Sequence, residues 1–166
     1  MAVDDELIRA AEQLGRMLKA AGEMLATAES CTGGWVAETL TALPGSSHWF
    51  ERGFVTYSNV AKHEMLGIGN DVLLRYGAVS EPVARAMAEG ALARSHADLA
   101  LAVTGIAGPG GGSVEKPVGT VCFAWAARGR PTRSSTLRFD GDRVAVRRQS
   151  VQWALLGMVD YLRAPT

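Results

Sequence analysis

The sequence predicts an α/β fold, a single three-layer α/β/α domain over residues 1–166 with a mixed sheet. Three observations support this prediction. Apolar strand-like segments alternate with segments of helical periodicity, as they do in α/β domains. The run Leu99–Val103 is apolar at every position, which is typical of a strand buried on both faces. Gly129–Pro131 separates two further strand-like segments, and such a hairpin adds an antiparallel pair to the sheet.

The first half of the chain is predicted to alternate between helices and strands. Asp4–Ala21 is a helix because leucines recur at helical spacing, acidic residues fill its first turn and Gly22 can end it. A second helix starts at about Thr32 or Gly33 and ends at Thr41, before Pro44-Gly45. The other elements predicted here are two strands, a helix that Asn59 can cap and a final turn or two of helix: Met24–Ala28, Gly53–Tyr57, Asn59–Leu66 and a part of Gly67–Gly77.

The second half is predicted to contain two helices and three strands. Ser80 is the expected N-cap of an Ala-rich helix that reaches about Ser95, with Pro82 tolerated in the first turn. Gly141-Asp142 opens a final helix to Leu162, which carries an apolar stripe. The strands are Leu99–Val103, Gly119–Ala127 and Thr132–Phe139.

Composition limits the classes of function. With 48% hydrophobic and 20% charged residues, the chain can form a core and is not disordered. The 17 basic and 17 acidic residues balance, which argues against a nucleic-acid partner but allows one basic pocket. No apolar run is long enough to span a bilayer, and the acidic start is unlike a signal peptide, so we expect a cytoplasmic protein without a membrane partner. Two cysteines and three scattered histidines predict neither a disulfide framework nor a metal site.

The segment Thr27–Gly34 (Thr-Ala-Glu-Ser-Cys-Thr-Gly-Gly) is the first candidate site. It follows a predicted strand and leads into a helix, which is where ligands bind in open α/β sheets. Free N–H groups of residues 31–34 and the helix dipole would favour an anion there. Three nucleophiles are adjacent, at Ser30, Cys31 and Thr32. From spacing alone, a simple helix N-cap explains Ser30 or Thr32 equally well.

Lys62 is the second candidate, at the end of the segment Tyr57–Lys62 that follows another predicted strand. It falls in the first turn of a helix, where the positive end of the dipole disfavours an ammonium group. Burial would lower its pKa further, and a neutral lysine is a competent general base for a serine hydroxyl. Taken alone, a solvated surface lysine is the simpler interpretation. Only a position beside Ser30 would favour a catalytic role.

The glycine-rich segment Thr104–Ser113 is the third candidate, and the last helix supplies a fourth. The segment leads into a strand rather than a helix, so it does not fit a dinucleotide-binding fingerprint. We interpret it as a loop that lets a flat or anionic ligand approach the backbone, with a flexible connection as the alternative. Arg147 lies roughly 40° from the centre of the apolar stripe. An arginine there either meets an anionic partner or extends past the stripe to solvent.

Five segments occur together in one order and resemble the C-terminal domain of CinA, the competence/damage-inducible protein family. They are Thr27–Gly34, Tyr57–Lys62, Gly77–Glu81, Thr104–Pro109 and Lys116–Thr120. The resemblance covers almost the whole chain, from the first strand to the last helix. Each segment alone is a modest signal, but their combination is specific.

The resemblance implies an activity and a set of residues. The family includes stand-alone nicotinamide-nucleotide amidases, which hydrolyse the carboxamide of nicotinamide mononucleotide to nicotinate mononucleotide and ammonia. They serve pyridine-nucleotide salvage and need neither a metal nor a cofactor. By resemblance Ser30 is the nucleophile, and Lys62 and Tyr57 complete the catalytic set. The implied substrate-binding residues are Glu29, Cys31, Thr32, Gly33, Gly34, Thr104, Gly105, Ile106, Ala107, Gly108, Arg143 and Arg147.

This chemistry assigns a step to each group. Ser30 Oγ attacks the amide carbonyl, and Lys62 takes its proton and later passes one to the departing ammonia. Tyr57 orients Lys62 or shares the proton, while N–H groups near Thr32–Gly34 stabilise the oxyanion. The glycine loop and Arg143 or Arg147 hold the phosphate and the ribose.

Two alternatives remain open at the level of sequence. Cys31 is a rival nucleophile, because a thiol is intrinsically more reactive and a helix N-terminus lowers its pKa. A non-catalytic nucleotide-binding or regulatory module would use the same loop and arginines without turnover. We also expect a homo-oligomer, a dimer or larger, because families of this kind assemble in that way.

Overall fold

The computed structural model describes residues 4–165; residues 1–3 and 166, which the predicted domain also includes, lie outside the described part. A short 3-10 turn, Ser46–His48, precedes the second strand. The helices and strands in chain order are α1 (Asp5–Ala21), β1 (Leu25–Glu29), α2 (Trp35–Thr41), β2 (Phe50–Val55), α3 (Asn59–Leu66), α4 (Asn70–Tyr76), α5 (Glu81–Ala93), β3 (Leu99–Gly105), β4 (Thr120–Ala127), β5 (Arg130–Arg138) and α6 (Arg143–Arg163).

The five strands form one mixed sheet in the order β2-β1-β3-β4-β5. Strands β2, β1 and β3 run parallel, and β4 and β5 are antiparallel to their neighbours. Helices α1, α2 and α6 pack together on one face, while α5 lies on the other face with α3 and α4 beside it. This arrangement confirms the predicted three-layer α/β/α class and its mixed sheet.

The central strands alternate large and small apolar side chains, so the two faces of the sheet differ. Leu99, Leu101 and Val103 belong to the core beneath α1 and α6. Ala100 and Ala102 face the Ala-rich helix α5 instead. Small side chains on both partners allow the helix to approach the sheet closely, as dense packing requires. The uniformly apolar run in the sequence therefore reflects burial on both faces, as predicted.

Side-chain caps define where most helices begin. Asp4 accepts from the Leu7 N–H at the start of α1, Ser80 caps α5 and Asp142 caps α6. For α3 the cap is Ser58, which accepts from the Ala61 N–H, and the prediction that Asn59 caps this helix is wrong. None of the helices within residues 4–165 is long and apolar enough to cross a membrane.

Helix α2 begins later than its predicted start at Thr32 or Gly33. Gly33 and Gly34 have φ angles of 59° and 103°, in the left-handed region that interrupts a right-handed helix. The chain therefore makes a separate turn over residues 30–34 before α2 starts at Trp35. This turn places Ser30 outside any helix.

Both edge strands differ from their predicted limits. Strand β2 begins three residues before Gly53 and ends at Val55, because Phe50 and Arg52 already pair with β1. Strand β5 begins at Arg130 and includes Pro131, which an edge strand tolerates because one side of its backbone needs no ladder partner. Polar and proline-containing edge segments lack the apolar pattern by which sequence identifies strands, so both starts were missed.

Candidate active site

The candidate site lies at the carboxyl ends of the three parallel strands. Ser30 directly follows β1, Thr104 and Gly105 end β3, and Lys62 comes from α3 after β2. Because β1 lies between the other two, its carboxyl end has neighbours on both sides. Segments that are far apart in sequence therefore converge where α/β sheets commonly bind ligands.

Ser30 and Lys62 are in direct contact. Lys62 Nζ lies 3.0 Å from Ser30 Oγ, 2.9 Å from the Thr56 carbonyl oxygen and 3.2 Å from the Tyr57 carbonyl oxygen. The lysine is only 1% exposed, and no carboxylate of the described residues forms an ion pair with it. The interpretation of Lys62 as a solvated surface residue is therefore wrong.

The surroundings of Lys62 favour its neutral form. Burial lowers the pKa of the Lys62 amine, and only a smaller effect of Cys31 raises it. A neutral amine has two hydrogens and one lone pair. In that form Lys62 can donate both hydrogens to the Thr56 and Tyr57 carbonyls, and the Ser30 hydroxyl can donate to the lone pair. This is the arrangement in which a lysine accepts a proton from a serine.

Glu29 acts within the protein rather than in the cavity at Ser30. Its buried carboxylate accepts from the N–H groups of Val36 and Ala37 at 2.9 and 3.1 Å and from the Thr32 hydroxyl at 2.6 Å. The helix-start donors of α2 therefore already hold an anion. Glu29 fastens α2 to the turn that carries Ser30 and is not placed to contact a substrate.

Cys31 lines the cavity but its thiol stays protonated. Burial, with a smaller contribution from the Glu29 charge, raises the pKa of Cys31 to about 12. A thiol is a weak nucleophile compared with its thiolate. The helix start that the sequence offered as a means of lowering this pKa is occupied by Glu29. Ser30 is the better placed of the two neighbours.

A cavity of about 250 Å³ opens at Ser30 Oγ. Among the predicted binding residues it is lined by Cys31, Thr104, Gly105, Ile106, Ala107, Gly108 and Arg143. The Arg143 side chain lies at the edge of this cavity. Its Nη1 donates to the Gly108 carbonyl at 2.8 Å and its Nη2 to the Tyr57 hydroxyl at 3.2 Å. The Tyr57 side chain is 63% exposed and binds Arg143, so it is the Tyr57 carbonyl rather than the hydroxyl that contacts Lys62.

Four predicted binding residues lie around a different cavity. Thr32, Gly33, Gly34 and Arg147 border a space of about 490 Å³ between α1, α2 and α6, and they do not line the cavity at Ser30. The structure thus separates the two arginines that the sequence could not distinguish. Arg143 lies at the cavity that contains Ser30, whereas Arg147 lies behind the turn that carries Ser30.

One of the backbone donors expected near Ser30 is already engaged within the protein. The Gly33 N–H donates to the Ser30 carbonyl at 3.0 Å and is not free. The N–H groups of Cys31 and Thr32 have no acceptor among residues 4–165. In α/β-hydrolases the N–H of the residue after the nucleophilic serine serves the oxyanion. Cys31 N–H occupies that position here.

Two parts of the cavity wall were not among the predicted site residues. Ala78 and Val79 line it, and the Thr104 hydroxyl holds this segment by donating to the Ala78 carbonyl at 2.8 Å. Gly110 and Gly111 extend the wall beyond Gly108. Ala78 and Val79 lie within Gly77–Glu81, one of the five segments that carry the family resemblance. They were not predicted to line the site because small apolar side chains give no chemical indication of binding.

Comparison with known proteins identifies the family. The family model described as the CinA C-terminal domain matches residues 8–162. The chain belongs to the CinA C-terminal domain family. This confirms the predicted resemblance, which rested on five short segments.

Related CinA-family proteins resemble the chain in sequence and structure. A protein named nicotinamide-nucleotide amidohydrolase PncC from Escherichia coli is 58% identical over 154 residues, covering 92% of both chains. A CinA-like protein from Akkermansia muciniphila is 59% identical over 138 residues, covering 83% of this chain and 33% of its own. The crystal structure of competence/damage inducible protein CihA from Agrobacterium tumefaciens is 46% identical, with a TM-score of 0.94, and covers 99% of this chain and 100% of its own.

Proposed function

We propose that this CinA-family protein hydrolyses the carboxamide of nicotinamide mononucleotide, giving nicotinate mononucleotide and ammonia, with Ser30 as nucleophile and Lys62 as base. The contact of 3.0 Å between the buried Lys62 amine and Ser30 Oγ is the observation that carries the proposal. The relative named nicotinamide-nucleotide amidohydrolase, at 58% identity over 92% of both chains, supports the predicted enzyme class.

The first half of the reaction forms an acyl-enzyme. Ser30 Oγ attacks the carboxamide carbon while its proton passes to neutral Lys62. The carbonyl oxygen becomes an oxyanion. The Cys31 N–H, which has no acceptor among residues 4–165 and belongs to a residue that lines the cavity, is available to stabilise it. The intermediate collapses, the C–N bond breaks, and Lys62 returns its proton to the leaving nitrogen. Ammonia departs and the nicotinoyl group is held as an ester on Ser30.

The second half uses water. Neutral Lys62 takes a proton from a water molecule as its oxygen attacks the ester carbon. The C–O bond to Ser30 then breaks, and the proton returns from Lys62 to Ser30 Oγ. One water is consumed, and one carboxylic acid and one ammonia are produced, which exchange a proton in solution to give carboxylate and ammonium. The cycle restores the starting enzyme.

The remaining groups fit the nucleotide part of the substrate. Arg143 and the glycine loop border the same cavity as Ser30. Arg143 offers a positive charge for a phosphate, and the loop allows the ring and ribose to lie close to the backbone. Tyr57, at the mouth, holds Arg143 through its hydroxyl. We assign Tyr57 to binding through Arg143 and to catalysis only through its carbonyl.

We extend the proposal to the cellular context that the resemblance implies. Residues 1–166 act as one amidase domain in the cytoplasm, in pyridine-nucleotide salvage, as a dimer or a larger homo-oligomer. Light scattering of the purified protein tests the last point. A monomer at micromolar concentration would contradict it.

The deciding experiment measures ammonia and nicotinate mononucleotide released from nicotinamide mononucleotide, with a chelator present. We expect turnover by the wild type and none by Ser30→Ala. Cys31→Ala is the matched variant, since it changes the adjacent side chain, and it should retain turnover. Loss of activity in Cys31→Ala with full activity in Ser30→Ala would reverse the assignment. A folded but inactive wild type that still binds the nucleotide would instead indicate a non-catalytic binding module.

A further inference from the structure

Arg147 of α6 holds the turn that carries Ser30 from outside the substrate cavity. Its Nε donates to the Cys31 carbonyl at 3.1 Å and its Nη2 to the Thr32 carbonyl at 3.2 Å. The guanidinium lies over the Trp35 ring, 5.4 Å from the centroid. No carboxylate of the described residues forms an ion pair with Arg147. Its charge is thus directed at two carbonyls of the nucleophile turn.

Each of these carbonyls shares a rigid peptide unit with an N–H group. The Cys31 carbonyl belongs with the Thr32 N–H, and the Thr32 carbonyl with the Gly33 N–H. In a planar trans peptide the two bonds point in opposite directions, so both N–H groups point away from Arg147. The Gly33 N–H donates to the Ser30 carbonyl at 3.0 Å, and the Thr32 N–H has no acceptor among residues 4–165.

A positive charge at a carbonyl oxygen polarises the whole peptide unit. Hydrogen bonds that follow one another in a chain strengthen each other, so Arg147 makes both N–H groups better donors. The donor at Gly33 fixes the backbone of Ser30. The Ser30 carbonyl, which accepts from this donor, shares its peptide unit with the Cys31 N–H, and Cys31 lines the cavity. The Cys31 N–H is the donor available to an oxyanion, for which polarised backbone donors contribute most.

We propose that Arg147 is a positioning residue for the hydrolysis, which orders and polarises the Ser30 turn, and that it does not hold the substrate phosphate. The inference rests on the proposed function, in which Ser30 is the nucleophile. The contrast with Arg143 supports it, because Arg143 lines the cavity at Ser30 and Arg147 does not. Two of the donors of Arg147 are also already engaged by the protein.

The test compares Arg147→Met with Arg143→Met on two substrates, nicotinamide mononucleotide and the riboside that lacks the phosphate. We expect Arg147→Met to lower kcat by about 10- to 100-fold, somewhat less than the loss of a direct oxyanion donor. Its KM and its preference for the mononucleotide should stay within about threefold of wild type, well under the tenfold change that 1.4 kcal/mol represents. Arg143→Met should instead raise KM for the mononucleotide and reduce the preference.

Further measurements separate positioning from a merely structural role. The midpoint of the pH profile of kcat/KM, which reports Lys62, should not move in Arg147→Met. The affinity for the product nicotinate mononucleotide, measured by calorimetry with the stoichiometry of binding, should also stay unchanged. A structural defect would lower the stoichiometry. Arg147→Lys should recover part of kcat, because an ammonium can still donate to one carbonyl. If Arg147→Met fails to fold, Arg147→Lys carries the same comparison.

Arg148→Met is the matched control, because Arg148 is the next residue of α6 and pairs with Asp4 and Glu6 rather than with the turn. It should leave kcat and KM unchanged. A raised KM and a lost preference for the mononucleotide in Arg147→Met would make Arg147 a phosphate ligand and overturn the inference. An unchanged kcat would overturn it as well. Failure of the proposed function is distinguishable, since the wild type itself would then release no ammonia.

Discussion

Lys62 combines a cation-forming side chain with surroundings that suit a neutral amine. Two backbone carbonyls take its hydrogens and Ser30 lies at its remaining position. The cost of burying an unpaired ammonium is several kcal/mol, whereas a neutral amine with both hydrogens bonded is well accommodated. The same contacts that satisfy the lysine thus prepare it to accept a proton.

The activity should therefore depend on the protonation of Lys62. Because burial lowers its pKa, we expect kcat/KM to rise with pH and to level off at a lower pH than an ordinary lysine would give. Lys62→Arg, which keeps a positive charge that cannot be removed, should lower kcat/KM by about 10²- to 10⁴-fold. The measurement is the initial rate of ammonia release across pH.

The control for this prediction is Lys19→Arg, which changes an exposed lysine in the last turn of α1. It should reproduce the wild-type profile. A rate that does not fall as the pH is lowered below the ordinary lysine pKa would contradict the role of Lys62, since protonation removes the lone pair that accepts the serine proton. Wild-type activity in the Lys62→Arg variant would also contradict the role of Lys62 as a base.

At the scale of elements, a buried carboxylate joins the nucleophile turn to α2. Glu29 satisfies two N–H groups at the start of a helix of only seven residues and also binds the Thr32 hydroxyl. Such a short helix has little intrinsic stability and depends on contacts of this kind. Glu29 and Arg147 together hold the turn, the carboxylate through α2 and the guanidinium through α6.

Glu29→Gln should weaken this junction, because an amide has one acceptor oxygen and its NH₂ group would face a backbone donor. We expect the free energy of unfolding to fall by roughly 1.5–3 kcal/mol, the range for a hydrogen bond to a charged group. Glu38→Gln is the matched control, since Glu38 lies exposed on the same helix and should change stability by no more than about 0.5 kcal/mol. Urea denaturation of both variants measures the difference, and equal effects would contradict the assignment.

For the whole molecule, the site requires the complete parallel part of the sheet. Ser30, Lys62 and the glycine loop follow three different strands, so their relative positions depend on how these strands pair and on the helices that pack against them. Helix α5 packs against the sheet beside α3, where Gly90 lies so close to the Leu66 carbonyl that a side chain would not fit. The helix that bears Lys62 is thus held against the sheet by dense packing.

Burial of Lys62 also links folding to pH. The pKa is ordinary in the unfolded chain and lower in the folded protein, so between the two values the unfolded chain binds more protons. The contribution of Lys62 to stability is therefore complete above the ordinary pKa and is lost as pH falls through the folded pKa. We expect the free energy of unfolding of the wild type, compared with Lys62→Met, to rise with pH across this window.

Chemical denaturation of both proteins at several pH values measures this difference. Lys19→Met again serves as the control, because it removes a lysine that is exposed on α1 rather than buried. If the free energies of unfolding of wild type and Lys62→Met differ by the same amount at every pH, then Lys62 has the same pKa in the folded and unfolded states.

The fold class, the family and the segments that form the candidate site could be predicted from local sequence. The alternation of strands and helices, the run Leu99–Val103 and the turn signals are local properties, so one chain is enough to recognise them. The nucleophile segment and Lys62 were identified because strand ends that lead into helices are recognisable from local pattern. Helix starts at Ser80 and Asp142 followed from capping residues, which act within one turn.

Which of those residues lie together, and which cavity each one borders, could be learned only from the folded chain. Lys62 is a surface lysine or a base depending on whether β2 lies beside β1, which is a matter of strand order. Arg143 and Arg147 are one helical turn apart in sequence, yet packing of α6 places one at the cavity and the other behind the turn. Glu29 was predicted to bind substrate, but in the structure its carboxylate accepts hydrogen bonds from the first N–H groups of α2. These roles arise from contacts between distant segments, and local sequence does not record them.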